Sequence, residues 1–510
     1  MKHTIAIILL AVAVLAGCRQ ATVPTSFTDV DEAPDIYPDC RDVTVPVNIA
    51  PLTFLMNASC DETVARFRTG SLEMVWGGEK VQPDIDEWRE LLAQAAGKSV
   101  DVEVFTRNGD KWLRYRPFKV HVSTDSIDPY ISYRLISPSY VAYEELTLNQ
   151  RCLENYDESV MVNNMLCSTE ESGQCVNCHN YQQYDPKRMQ FHARQNHGGT
   201  VICYDGNIRK INMRNDSIIS AGVYPAWHPW LPLIVYSTNH TSQTFHTHNP
   251  NKIEVFDAVS NLIAYDVERN EVTNIESDPN EFEVFPCWAP DGKAIYYCSA
   301  HFEFPDTMSH EVQVIMRAKE VKYSLYKKSF DPGTYTFGPR EPLMNEESSD
   351  STANLQSSAT LPRVSPDGRF LMFTLGNYGV FHIWHHEADL WLMDLQTGEV
   401  RVMDEINSDD TESYHSWSSN GRWVLFSSRR NDGGYTRPFI AHIDANGHGS
   451  KPFELPQADP DYHRQFMKSY NIPEFMKGPV EVTPQQFADI LKNTDGEPVK
   501  YVGKLKPSLR

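Results

Sequence analysis

The sequence predicts a mainly β protein: a β-propeller of about six blades, five of them recognisable, with an N-terminal β-rich domain and a short helical C-terminal tail. Three observations predict it. One turn-and-strand pattern recurs along the second half of the chain. The 510 residues are 11% aromatic and carry 26 Gly and 32 Pro, a composition of many short strands with frequent turns. The length exceeds one ordinary domain, but a repeat architecture absorbs it. The formal net charge of −22 argues against a nucleic-acid partner and against a polybasic membrane patch, because both need a basic footprint.

Residues 1–17 read as an export signal. Lys2 and His3 precede an apolar run from Ile5 to Ala16, too short for a permanent membrane span. The run ends in Leu15-Ala16-Gly17-Cys18, which resembles a bacterial lipobox. The resemblance implies cleavage before Cys18 and acylation of that residue, so that the lipid bilayer is a partner through Cys18. Several acyl chains on one residue make such anchoring stable. The alternative is an ordinary signal peptide with an accidental cysteine. No acidic cluster follows Cys18. The expected location is the bacterial envelope, as an outer-membrane lipoprotein facing the periplasm.

Residues 18–44 lack periodicity, hold Pro24, Pro34 and Pro38, and read as a tether. Residues 45–145 alternate apolar and polar, as in Val100-Asp101-Val102-Glu103-Val104, and form the β-rich N-terminal domain, which can contribute a blade. One helix interrupts them: Asp84 caps it, Glu87 follows three residues on, Gly97 closes it, and Ile85, Trp88, Leu92 and Ala95 share a face. Residues 146–174 connect this domain to the propeller, which spans 175–455.

The repeat is clearest in Val364-Ser365-Pro366-Asp367-Gly368-Arg369-Phe370. Further copies begin at Trp288-Ala289-Pro290-Asp291-Gly292, Trp417-Ser418-Ser419-Asn420-Gly421 and, degraded, Trp227-His228-Pro229. Each joins a short strand to an apolar one through a turn whose Gly or Asn tolerates positive φ. A third strand ends in Asp, as in Leu390-Trp391-Leu392-Met393-Asp394. The copies lie further apart than the roughly 40–45 residues of a four-stranded blade, which implies loop insertions. A hidden fifth copy runs from Asp185 through Met189–Arg194 to Gly199–Asp205. The pattern resembles the Trp-Ser-Pro-Asp-Gly blades of TolB-type propellers. That resemblance implies a six-bladed ring, and a sixth blade is expected from strands in 100–145. The C-terminal extension, 456–510, holds a helix capped by Thr483 with Pro484 first and Gln486 third; Phe487, Ile490 and Leu491 form its apolar face.

Cys175-Val176-Asn177-Cys178-His179 carries the sharpest chemical signal. The spacing suits two thiols adding to the vinyl groups of one haem, with the adjacent imidazole on the iron. The string matches the attachment motif of c-type cytochromes, which implies one covalent haem c with His179 as proximal ligand. Three other readings stay open: a Cys175–Cys178 disulfide or relic, a redox-active pair without a flanking βαβ pattern, and a zinc site lacking its further ligands. Distal-ligand candidates are His192 and His197, favoured over Met165 and Met189. The repeat places this motif just before the first strand of its blade. It also places the loops carrying His192, His197, His240, His246, His248, His301, His310, His382, His385 and His386 on the same rim, as candidates for a sixth ligand or a second metal site. Each histidine alone reads as a solvated or packed residue. The acidic residues Glu281, Glu283, Asp409, Asp410 and Glu412 read as solubility.

Ten cysteines are present. Removing Cys18, Cys175 and Cys178 leaves an odd remainder, with Cys40–Cys60 and Cys152–Cys167 as local pairing options. No G-x-S-x-G elbow or phosphate-cradling G-x-x-x-x-G-K-[ST] string occurs. Two functions follow as expectations. One is a haem-bearing lipoprotein in electron transfer or redox sensing. The other is a non-enzymatic propeller scaffold holding an envelope protein partner.

Overall fold

Gly292, Gly368 and Gly421 take φ of +61°, +76° and +67°. This left-handed conformation is freely open only to Gly, and each of the three turns joins an inner strand to the strand outside it. The structure is a computed structural model that describes residues 21–137, 145–168, 174–344, 357–493 and 495–507. Cys18 and the signal segment lie outside them. No helix among the described residues is long and apolar enough to cross a membrane.

Two compact units are present: Met1–Ser126 with Pro456–Phe466, and Ile127–Leu455 with Met467–Arg510. In the first unit the strands Glu62–Thr69, Leu72–Gly78, Ser99–Asn108, Lys111–Arg114 and Phe118–Ser123 build one sheet. The helix Ile85–Ala95 buries Trp88, Leu91, Leu92 and Ala95. The Asp84 carboxylate accepts the amides of Asp86 and Glu87, as its capping position predicts. Residues 456–466 return to this unit: the Gln457 carbonyl accepts the Thr53 hydroxyl at 2.7 Å, and Lys80 pairs with Asp459 at 2.6 Å.

The second unit is a β-propeller arrangement of antiparallel meanders. Five follow one another in sequence. Their inner strands are Gln174–Tyr181, Val223–Trp227, Glu281–Trp288, Ser358–Val364 and Glu412–Trp417. The hidden copy is one of them, with strands Met189–Gln195 and Gly199–Tyr204. A sixth sheet has the order Glu158–Asn163, Thr147–Cys152, Tyr130–Ile136 and Ser469–Met476. Its inner strand comes from the C-terminal segment and neighbours both the first and the fifth inner strands. The strands of 44–123 therefore do not enter the ring, and 146–174 is not a plain connection but supplies two strands. Of the sixth blade expected from strands in 100–145, only Tyr130–Ile136 comes from that range; pairing across more than 300 residues with Ser469–Met476 leaves no local trace.

Adjacent sheets pack face to face through alternating apolar side chains. Between the fourth and fifth, Phe370, Met372, Leu392, Trp417, Val424 and Phe426 are all buried in one cluster. The helix Pro484–Asn493 packs Phe487 and Leu491 into the core beneath the first sheet, beside Phe191. Its start is a capping box, in which Thr483 Oγ1 accepts the Gln486 amide and Gln486 Oε1 accepts the Thr483 amide. No disulfide joins any of the nine described cysteines, so neither local pairing option is formed.

Removing Met467–Arg510 takes the inner strand out of the sixth sheet. A chain ending at Phe466 is expected to lose its cooperative thermal transition and become protease-sensitive, measured by circular dichroism and limited trypsin digestion.

Candidate functional site

The haem-type pentapeptide lies within the first inner strand, not before it as the repeat suggested. Cys178 there takes a left-handed φ of +56°. It is one of six such residues, one on each inner strand: Tyr224 (+49°), Phe285 (+53°), Leu361 (+55°), Tyr414 (+49°) and Ile472 (+50°) are the others. Each sits where the ladder register shifts, so that it and the next residue drop out of pairing. The next residue is Pro225, Pro286, Pro362 or Pro473 in four strands. Proline fits because its missing N–H belongs to no ladder bond there. In the other two strands the position holds His179 and His415. Cys178-His179 thus occupies the slot that Tyr-Pro, Phe-Pro, Leu-Pro and Ile-Pro occupy elsewhere. An apolar-Pro pair beginning three residues before the anchors Trp227, Trp288 and Val364 was the signal in the sequence that could have shown it.

All six left-handed residues line a constriction of about 40 Å³ on the channel axis. That is close to one water's share of liquid volume. Below it lies a space of about 240 Å³, bordered by Trp227, Trp288 and Trp417. Above it opens a cavity of about 900 Å³. Cys175 and Asn177 line that upper cavity, whereas Cys178 and His179 line the constriction. The ring of His179 is fully buried, and neither nitrogen makes a hydrogen bond of ordinary geometry. Burial, reinforced by the Arg134 charge, lowers its pKa to about 3 and keeps it neutral. Burial also raises the Cys178 thiol. A porphyrin needs both thiols and the imidazole around one macrocycle. As arranged, the three groups border two spaces, and the one holding His179 has no room for it, so they do not fit one haem.

The distal candidates are dispersed. Met165 is 65% exposed, and Met189 is buried in the core with Phe191. His197 stands half-exposed in the turn after Met189–Gln195. His192 lines the upper cavity, with Nδ1 3.1 Å from Thr200 Oγ1. Burial, with Arg194 and Arg214 adding to it, lowers its pKa to about 3. His240 shares that cavity.

The remaining rim histidines fall into separate groups. His301 bridges Glu281 and Glu303, and His386 pairs with Asp410. His385 is enclosed between Glu254, at 2.9 Å, and Glu387, at 3.4 Å. His246 and the Tyr378 hydroxyl also reach Glu254. Burial alone would lower the His385 pKa, but its bonds to Glu254 and Glu387 raise it to about 9, while His385 holds Glu387 down to about 2. No cluster among the described residues has a metal-holding arrangement of three or more His, Cys, Asp or Glu.

No family model and no curated protein matches the chain. Several solved structures are similar at low identity. Prolyl oligopeptidase B from Galerina marginata is 11% identical, with TM-score 0.35 over 64% of this chain and 44% of its own. The GH74 enzyme of Niastella koreensis is 11% identical, with TM-score 0.37 over 63% and 44%. The β-propeller domain of the Trilobed protease from Pyrococcus furiosus is 12% identical, with TM-score 0.31 over 71% and 96%. The chain spans less than half the length of the first two. None of them assigns a role to a residue of this chain.

Two outcomes follow. His179→Pro places in the first strand the residue that four others already carry; it is expected to shift unfolding free energy by less than about 2 kcal/mol, read by denaturant titration. The raised pKa of His385 makes its stabilisation complete below about pH 6.5 and lost as pH rises through about 9. Stability is expected to fall by about 3 kcal/mol over that window, and His385→Gln flattens the slope, measured by the same titration at several pH values.

Proposed function

We propose that the protein is an envelope lipoprotein, held in the outer membrane through acylated Cys18 and facing the periplasm, whose propeller is a non-enzymatic binding scaffold. On this reading the ring is TolB-like and six-bladed, closed by Ser469–Met476. The six left-handed residues support that count. The observation that carries the function is the upper cavity: about 900 Å³, lined from four of the six sheets and by Phe381 from a loop of the fourth, and of a size that suits recognition of a ligand or an inserted partner segment. The partner expected is an envelope component that enters or covers this mouth.

Covalent haem on Cys175 and Cys178, with His179 as ligand and a role in electron transfer or redox sensing, is the second reading. The pentapeptide itself favours it. One preparation separates the two. The full chain is exported in a host expressing haem-maturation machinery, extracted in detergent, and examined by absorbance and by haem stain on a denaturing gel. The scaffold reading expects no Soret band, no covalent haem, and a reproducible envelope protein in crosslinked pull-downs. Covalent haem overturns it in favour of the second reading, and repeated pull-downs without a partner count against the scaffold.

A further inference from the structure

We infer that the upper cavity binds an acidic saccharide, a hydroxyl-rich body bearing carboxylate, sulfate or phosphate. This rests on the scaffold reading and names the ligand class of the same cavity. The first observation is charge. Among the 28 described residues lining the cavity, Arg134, Arg194 and Arg214 are cationic and none is Asp or Glu. A chain with 68 acidic residues in 510 would bring about four carboxylates to a wall of that size if they were distributed evenly. The described residues of this wall include no acid, while the chain as a whole carries a net charge of −22.

Asp257 is the carboxylate that stands behind the wall, and it is turned away. It accepts Asn239 Nδ2 at 2.8 Å and the Tyr323 hydroxyl at 2.9 Å, and burial raises its pKa to about 6. The arginines come from three different segments, so the positive field is assembled by the fold and is not a run of basic sequence. Arg134 is on the inner face of the sixth sheet, where its Nη2 donates to Asn471 Oδ1 at 2.6 Å. That bond holds a buried guanidinium at the cavity wall. Arg194 ends the second strand of the first sheet, and Arg214 lies in the loop that leads to the second sheet. Planar guanidiniums suit bidentate pairing with carboxylate, sulfate or phosphate.

The second observation is the polar remainder. Asn177, Asn196, Asn212, Asn215, Asn239 and Gln243 line the same space. Carboxamides donate and accept at once, which matches sugar hydroxyls better than it matches an apolar ligand. Asn177 Oδ1 makes no hydrogen bond among the described residues and sits beside Cys175 on the wall. Tyr224, Tyr414 and Phe381 supply apolar faces toward the axis, where a pyranose ring can stack. Cations, carboxamides and aromatic faces in one space of about 900 Å³ define a site for an anionic sugar of a few residues.

The test is calorimetric titration of the full chain, extracted in detergent, with four probes: trigalacturonate, a sulfated heparin disaccharide, glucose 6-phosphate and neutral maltotriose. At least one acidic probe is expected to bind at least about 10-fold tighter than maltotriose, and to weaken as salt rises from about 50 to about 500 mM. Which acidic probe binds distinguishes carboxylate from sulfate and phosphate. Arg194→Ala and Arg214→Ala, both at exposed positions, are each expected to weaken it about 10-fold or more with an unchanged melting transition. Equal binding of neutral and acidic probes, or indifference to both substitutions, overturns the inference and leaves the scaffold reading in place. Silence from all four probes while pull-downs recover a protein partner does the same. Silence in both removes both.

Discussion

The propeller depends on one repeated constraint, a left-handed bulge in the middle of every inner strand. A non-glycine residue in that conformation costs about 1–2 kcal/mol, and a β-branched one such as Ile472 is less tolerant still. Six of them together are comparable with the whole net stability of a domain. They persist because hydrogen bonds on both sides of each bulge, and the neighbouring inner strands, leave the chain no other path. The return is geometric. Each bulge brings one side chain to the axis at the same height, and the six together pinch the channel to about 40 Å³. This ring lies between the space above and the space below.

That constraint also reinterprets the chemical motif. A short string such as Cys-x-x-Cys-His carries its meaning only with its backbone. Here Cys178 is itself the bulged residue and Cys175 lies in the regular ladder before it, and the residue after Cys178 is a histidine where most strands carry proline. His415 fills the identical slot in the fifth sheet, buried and neutral, with its Nε2 3.0 Å from the Met372 carbonyl and no cysteine pair preceding it. Burial is enough to keep an imidazole neutral at either place. The slot tolerates a ring-shaped residue without an obligatory ladder bond, and histidine meets that requirement as proline does.

Much of the fold was legible because its signals are local. Gly292, Gly368 and Gly421 mark turns, and strands such as Ile253–Asp266 and Asp389–Asp394 end where the Asp-and-turn pattern places them. The caps at Asp84 and Thr483 are set within one turn of helix. What escaped was non-local. Ser469–Met476 pairs with Tyr130–Ile136, and nothing within either segment names the other. The cavity escaped for the same reason: Arg134, Arg194 and Arg214 are unremarkable one at a time, and only ring closure brings them to one wall. The candidate thiols were found by spacing, but spacing does not report which side of a bulged strand each one faces, so Cys175 and Cys178 came to border different spaces.

Net charge is the clearest case of an average that conceals a site. A value of −22 weighs against partners that need a basic exterior. It says nothing about the sign of the field inside a concave wall, where cations brought together from separate segments focus a local positive potential. The two facts work together. An acidic exterior repels anions from the surface at large, while the arginines described in the mouth give one a place to settle. The polarity of the propeller therefore runs along the channel axis, from a cationic upper cavity through a narrow constriction to the tryptophan-bordered space below, and it is this axis, more than the pentapeptide within one of its strands, that the repeated inner strands are arranged to build.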